Sequence, residues 1–298
     1  MLWIPISLFA AVFQTIRTAI QKNLKNRLST HAITFTRYGF GLPFALLYFI
    51  IVTAYSETTI PIITTKFILF CCISAIVQIW GTSALIAAFS YKNFAVSSTY
   101  AKTEALIAAI FGVILFKEYL SWSAFIIICI GISGVILMSL GKENKTLHIK
   151  DLLEKGPLLG ITSGFFFALT SLCVRQASLH LESGPIFLKA AFTLRVTVSI
   201  QVVIMLIYLL IKERDQFGKM ATHWQGATWV GLTAILGSIG WFTAMALQNV
   251  ALVKTVGQIE LLLSIWVAKQ FFNEHITKKE AIGILIIGLS IVALVWVI

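Results

Sequence analysis

Charge is what this 298-residue chain has least of. Only 12% of its residues are Asp, Glu, Lys or Arg, about half the roughly 25% of a soluble globular domain. Acids are scarcest, with 12 Asp and Glu against 23 Lys and Arg. So small a polar complement cannot cover a globule in water, and lipid must serve as solvent for much of the surface. The four cysteines, Cys71, Cys72, Cys129 and Cys173, lie inside apolar runs with no CxxC or His-linked spacing. That excludes a disulfide framework and a zinc site, and leaves them as small buried hydrophobes. The five histidines form no HxxxH pair, so no metal is expected. P-loop, HExxH, GxSxG and dinucleotide fingerprints are all missing, which argues against ATP-driven pumping and calls for no cofactor. An enzyme acting on lipid would need a clustered nucleophile or acid–base set, and His148, His180, His223 and His275 are isolated. The net charge of +11 does not point to nucleic acid, because the bases lie between apolar runs and form no stripe interleaved with exposed aromatics.

What is present is hydrocarbon: 58% hydrophobic residues and a mean hydropathy of +0.92. In lipid every backbone N–H and C=O must be paired within the protein, so only helices or a closed barrel can span. The runs are long and unbroken, which selects helices. Ten are long enough, at about 3–21, 31–54, 66–90, 95–116, 121–140, 157–178, 186–211, 225–248, 252–272 and 279–298. The first has no basic stretch before it and is read as a retained helix. Pro43 predicts a kink in the second run, and Gly231, Gly237 and Gly240 predict close packing of the eighth.

The longest polar connection, 141–156, falls near the middle of the chain. Sliding the chain on itself by 156 positions aligns Gly81 with Gly237, Asn93 with Asn249, Glu104 with Glu260 and Glu118 with Glu274. Apolar coincidences are cheap in this composition, but four of the ten Glu falling into register at one shift are not. Arg37 and Arg195 match at a shift of 158. The expected fold is all-α and membrane-embedded, with ten transmembrane helices: a first five-helix repeat over 1–140, a polar linker over 141–156 and a second repeat over 157–298. Five crossings per repeat invert the second relative to the first, which lets one plan adopt two near-equivalent conformations. The connections after helices one, three, five, seven and nine carry most of the bases, Lys22, Lys25, Arg27, Lys92, Lys142, Lys212, Arg214 and Lys219 among them. The positive-inside rule therefore puts these loops in the cytoplasm and both termini outside.

Ionisable residues within the runs cost several kcal/mol unless they face protein or water. They are Arg17, Arg37, Lys102 and Glu104 in the first half, and Arg175, Arg195, Lys254 and Glu260 in the second. Six bases against two acids favour a solute with a carboxylate or phosphate. The candidate solute-binding residues are Arg37, Tyr100, Lys102, Glu104, Arg195, Trp241, Gln258 and Glu260. The structural alternative is that each Glu pairs with a base on a neighbouring helix and holds the bundle. Lys102 and Glu104, two apart, are not expected to share a helix face. Glu118 and Glu274 are read as turn and cap residues, with Ser121 and Thr277 as N-caps of the helices that follow.

Ala101-Lys102-Thr103-Glu104 through Leu115-Phe116-Lys117-Glu118-Tyr119-Leu120, followed by Gly131-Ile132-Ser133-Gly134, recurs as Gly257-Gln258-Ile259-Glu260 through Phe272-Asn273-Glu274-His275-Ile276, then Gly288. An Arg early in the second helix of each half accompanies both copies. This pattern resembles the drug/metabolite transporter superfamily, specifically its EamA-type ten-helix carriers, over nearly the whole chain. The resemblance implies a secondary transporter for amino acids, nucleobases, toxic compounds or similar metabolites. It also implies a plasma membrane, the inner membrane of a bacterium. Members are generally described with cytoplasmic termini, opposite to what the loop charges predict. The partners expected are a small solute, a coupling proton or ion, and the bilayer, for a monomer or homodimer. The leading reading is alternating-access transport of a small polar or zwitterionic, amino-acid-like or drug-like solute. An organic cation in an aromatic-lined site is the alternative, with a channel, an assembly factor and a membrane-embedded enzyme behind it.

Overall fold

The computed structural model describes residues 1–56, 61–91, 94–139, 155–272 and 278–297. Most of the 141–156 linker lies outside the described residues, as do Lys92, Asn93, Glu274, His275 and Thr277. Every element among the described residues is a helix: α1 (Trp3–Leu24), α2 (Thr30–Gly39), α3 (Leu42–Ser56), α4 (Thr65–Ala88), α5 (Phe94–Ala101), α6 (Glu104–Phe116), α7 (Trp122–Ser139), α8 (Lys155–Leu179), α9 (Ile186–Lys212), α10 (Gln216–Thr222), α11 (Trp224–Leu247), α12 (Val250–Val256), α13 (Ile259–Phe272) and α14 (Lys278–Val297).

Among the described residues seven helical stretches are long and apolar enough to cross a membrane: α1, α2 with α3, α4, α8, α9, α11, and Val250–Val267 of α12 and α13. The shorter apolar helices Glu104–Phe116, Trp122–Gly134 and Leu285–Leu294 fall in the remaining three predicted runs. Local chemistry sets several ends. Ser29, Thr64 and Ser121 each accept a backbone N–H three residues on, from Ala32, Phe67 and Ala124, at 3.1, 3.1 and 3.2 Å, filling donors that a helix start leaves open. Lys117 closes α6 with φ 52°, and the Glu118 N–H turns back to the Gly112 carbonyl at 3.0 Å. The kink predicted at Pro43 separates α2 from α3 at Phe40-Gly41.

Packing obeys the repeat. α1 lies along α11, and α4 lies along α8. The first helix of each half thus packs on the third predicted run of the other. α7 packs on α14, and α9 packs on α2 and α3, so equivalent elements of the two repeats also meet. In lipid no hydrophobic drive joins helices, so close approach of backbones must do so. Gly231 shows this: a Cβ there would sit 2.5 Å from the Phe40 carbonyl carbon, so only glycine lets α11 seat against the kink. Outward positions such as Leu47, Ile50, Trp80, Ile114 and Trp266 are exposed and apolar, as a lipid-facing surface requires. Cys71 and Cys173 are buried, as expected for small hydrophobes, but Cys129 is exposed, because its face of α7 points away from the bundle.

Several connections of one repeat meet those of the other. The turn after α1 meets the end of α9, where Ser29 Oγ donates to Glu213 and His31 Nδ1 lies 2.8 Å from Glu213 Oε1. The segment before α4 meets the end of α8, where Thr64 Oγ1 donates to the His180 carbonyl at 3.0 Å. Asn249 Nδ2 donates to the Tyr119 carbonyl at 2.7 Å, joining the turns that follow α6 and α11.

Candidate functional site

The two runs carrying the matched glutamates are not the continuous helices expected from hydropathy. Each is interrupted, at Lys102-Thr103 and at Gly257-Gln258. The backbone crosses each break with short i→i+3 bonds, Ala105 N–H to Lys102 O at 3.3 Å and Glu260 N–H to Gly257 O at 3.0 Å. Glu104 and Glu260 therefore stand in the first turns of α6 and α13, where unpaired N–H groups and the helix dipole favour a carboxylate. The turn also overturns the expectation that Lys102 and Glu104 cannot meet. Because the helix is broken between them, Lys102 Nζ comes within 3.8 Å of Glu104 Oε1.

From these breaks a buried network is built. Lys102 Nζ donates to Glu260 Oε2, and Lys254 Nζ lies 3.4 Å from Glu104 Oε2. Each lysine thus pairs with the glutamate of the other half, although neither lysine has a lysine at its own repeat-related position. Gln14 on α1 ties the network to α11: its Nε2 donates to Glu260 Oε2 at 2.7 Å, and its Oε1 accepts Trp241 Nε1–H at 2.8 Å. The Lys254 ammonium also sits 4.4 Å from the Trp241 ring centroid, a cation–π contact. Lys102, Glu104, Lys254 and Glu260 are all at most 6% exposed, so removing one partner strands a buried charge at a cost of about 3–5 kcal/mol.

These groups border a cavity lined by Gln14, Arg37, Gln78, Glu104, Trp241 and Lys254, with α8 residues such as Ser171 closing one wall. Its free volume is about 20 Å³, enough for about one water. Arg37 enters it from α2, with Nη1 donating to Thr82 Oγ1 at 2.7 Å and the guanidinium carbon 5.3 Å from the Tyr38 ring centroid. Arg17, buried on α1, lies within electrostatic reach of Arg37, Glu104 and Glu260.

Of the residues singled out from sequence, Arg37, Glu104 and Trp241 line the cavity, and Lys102 and Glu260 form the ion pair beside it. The other three lie elsewhere. Tyr100 packs on α8 at Gly160, where a Cβ would come 2.6 Å from its own. Gln258 is buried beside Gly131 and Ser290, between α7 and α14. Arg195 stacks on aromatic rings, 4.7 Å from the Phe49 centroid and 5.9 Å from that of Phe192. Gln14, Arg17 and Lys254 belong to the site and were not singled out for it. A signal existed for Arg17, which matches Arg175 at the same shift of 158 that relates Arg37 to Arg195. Gln14 had none, being one polar residue in an amphipathic helix.

Arg175 has a different task. Its Nε donates to Glu118 Oε1 at 2.8 Å, and its Nη1 to the carbonyls of Met245 and Gln248 at 2.5 and 2.7 Å. It ties the turn after α6 to the open carbonyls at the end of α11. Glu118 is accordingly a structural residue, as read from sequence.

A chain of this architecture, with broken helices meeting at buried charges, has known counterparts. The sequence model of the EamA-like transporter family matches residues 1–140 and 154–296. The chain belongs to the EamA-like transporter family. It is an integral, multi-pass membrane protein of two-repeat architecture, and its family points to a transporter rather than an enzyme. One solved structure, described only as a protein crystal structure, shares the EamA-like fold with a TM-score of 0.72, covering 99% of this chain and 96% of its own at 13% identity. A search of curated protein sequences finds no match.

Proposed function

We propose that this EamA-like transporter is a secondary active carrier that moves a small polar solute by alternating access through the cavity between its two halves. In this reading the chain has ten spans, in inverted five-helix halves over 1–140 and 157–298 joined by the linker 141–156. The loop charges place the connections after α1 and α9 in the cytoplasm. The solute contacts Arg37, Glu104, Trp241 and Lys254, while Lys102 and Glu260 join the halves beside it. Transport is driven by a gradient of a proton, another ion or a second solute.

The observation that carries this reading is the crossed pairing of Lys102 with Glu260 and Lys254 with Glu104 at two helix breaks. Apolar packing holds helices together at lower desolvation cost than buried ion pairs do. Broken helices with charged groups at a repeat interface suit a site that is remade as one half rocks against the other. The organic-cation alternative is less well supported, because the Trp241 ring face is already occupied by the Lys254 ammonium.

The test is counterflow in proteoliposomes loaded with a panel of amino acids, organic acids, phosphate esters and organic cations. A carrier exchanges its solute saturably, and the Glu104→Gln/Glu260→Gln double variant, though less stable, loses exchange in the fraction that elutes as folded protein. Full exchange by that double variant would remove the role assigned to the pair.

A further inference from the structure

We infer that the cavity is an oxyanion site: it takes a solute bearing a carboxylate or phosphate group, which docks on the guanidinium of Arg37 with Arg17 behind it. This deepens the transport reading and rests on it for the solute's route, while binding itself can be measured without transport.

The first support is charge balance. Arg37, Glu104 and Lys254 line the cavity, Lys102 and Glu260 pair in the same network, and Arg17 lies within electrostatic reach of Arg37, Glu104 and Glu260, which makes four bases and two acids, every one at most 6% exposed. The two acids are engaged by the two lysines. Among the described residues neither arginine has a carboxylate partner. Two buried positive charges are thus uncompensated, which a low-dielectric interior strongly disfavours unless a ligand brings negative charge.

The second support is the kind of hydrogen-bonding group left over. A guanidinium offers five N–H donors in a fixed fork. Arg37 gives one to the Thr82 hydroxyl. Among the described residues Arg17 Nε, fully screened from solvent, has no hydrogen-bond partner, and neither has Gln21 Nε2 one turn further along the same face of α1. Both are donors, so what is missing beside them is an acceptor. The other buried unpartnered atoms, on Ser98, Thr197, Gln201, Gln258 and Ser264, are uncharged.

Arg175 supplies the contrast. Where this fold uses an arginine structurally, it provides a carboxylate and two backbone carbonyls. Among the described residues nothing comparable meets Arg37. A planar two-oxygen anion matches the guanidinium fork. A cationic solute would add to the positive excess and would have to displace Lys254 from Trp241. The free space of about 20 Å³ admits no such solute as it stands, so binding accompanies parting of the halves.

The test uses the purified full-length chain in detergent and thermal unfolding at matched ionic strength. The probes are succinate, glycerol 3-phosphate, neutral succinamide and tetramethylammonium. Succinate, glycerol 3-phosphate or both should raise Tm saturably, and their ranking separates carboxylate from phosphate. Arg37→Gln should weaken that effect by about tenfold or more, with Arg37→Lys intermediate and Lys219→Gln, at an exposed site, unchanged. Should Arg37→Gln fail to fold, Arg37→Lys and Arg17→Gln carry the comparison. Saturable stabilisation by succinamide or tetramethylammonium but by neither oxyanion would overturn the inference. So would no stabilisation by any probe, or an oxyanion effect unchanged in the Arg37 and Arg17 variants. Counterflow of a neutral or cationic solute without oxyanion binding would remove this site and leave the carrier standing. Oxyanion binding without any counterflow would do the reverse.

Discussion

Lys102 and Glu260 meet across the two halves of the chain, each beside a break in its own helix, with Gln14 donating to the same Glu260 oxygen at 2.7 Å. The pair sits at the point where the two repeats must move against each other if access alternates. Its chemistry can be separated from its packing by exchanging charges.

Glu260→Gln leaves the Lys102 ammonium buried without its closest acid and should destabilise the chain by about 3–5 kcal/mol. Exchanging the two, Lys102→Glu with Glu260→Lys, should recover part of that loss. A double-mutant cycle on unfolding in detergent measures the coupling. A coupling near zero would mean that the two side chains are neighbours without being partners.

Arg175→Ala should lower stability by a similar amount, about 3–5 kcal/mol, because Glu118 and the carbonyls of Met245 and Gln248 lose their donor together. Solute preference should be unchanged in whatever fraction remains folded. Competition profiles in counterflow check this, and an altered solute ranking would show that Arg175 reaches the site.

Gly231→Val should be among the most damaging single changes, since a Cβ there meets the Phe40 carbonyl carbon at 2.5 Å and the Gly41 nitrogen at 2.7 Å. Backbone cannot yield as a side chain can. Size-exclusion profiles and Tm in detergent should show loss of the monodisperse species. A near-native Tm would mean that the α2–α3 kink can move away from α11.

The orientation can be checked at two exposed positions, Lys219 at 53% and Tyr119 at 83%. With the loop charges setting topology, a cysteine at Tyr119 should react with a membrane-impermeant maleimide in intact cells. One at Lys219 should react only after permeabilisation. The opposite pattern would place the termini in the cytoplasm.

Much of this arrangement was legible in the residues, and the limits are instructive. Long apolar runs marked the helices because hydropathy acts locally, although three of the ten runs hold only shorter apolar helices among the described residues, and Pro43 marked its kink for the same reason. Glu104 and Glu260 pointed to the repeat because acids are rare enough for coincidence to be informative. The breaks at Lys102-Thr103 and Gly257-Gln258 were not foreseen: neither run holds a proline to mark one, and the charges that meet there come from opposite halves of the sequence. Arg37 and Arg195 looked equivalent, yet one enters the cavity beside Thr82 and the other stacks on Phe49 and Phe192. Neighbours contributed by other helices decide that difference. Gln14 could not be recognised without knowing that α1 packs on α11 and α13.

The most direct test of the central claim is counterflow in proteoliposomes, comparing the parent chain with the Glu104→Gln/Glu260→Gln variant. The parent should exchange at least one small solute saturably, and the fraction of the destabilised variant that still elutes as folded protein should not. Exchange by the variant at the parent's rate, or flux through the parent that never saturates, would contradict the claim.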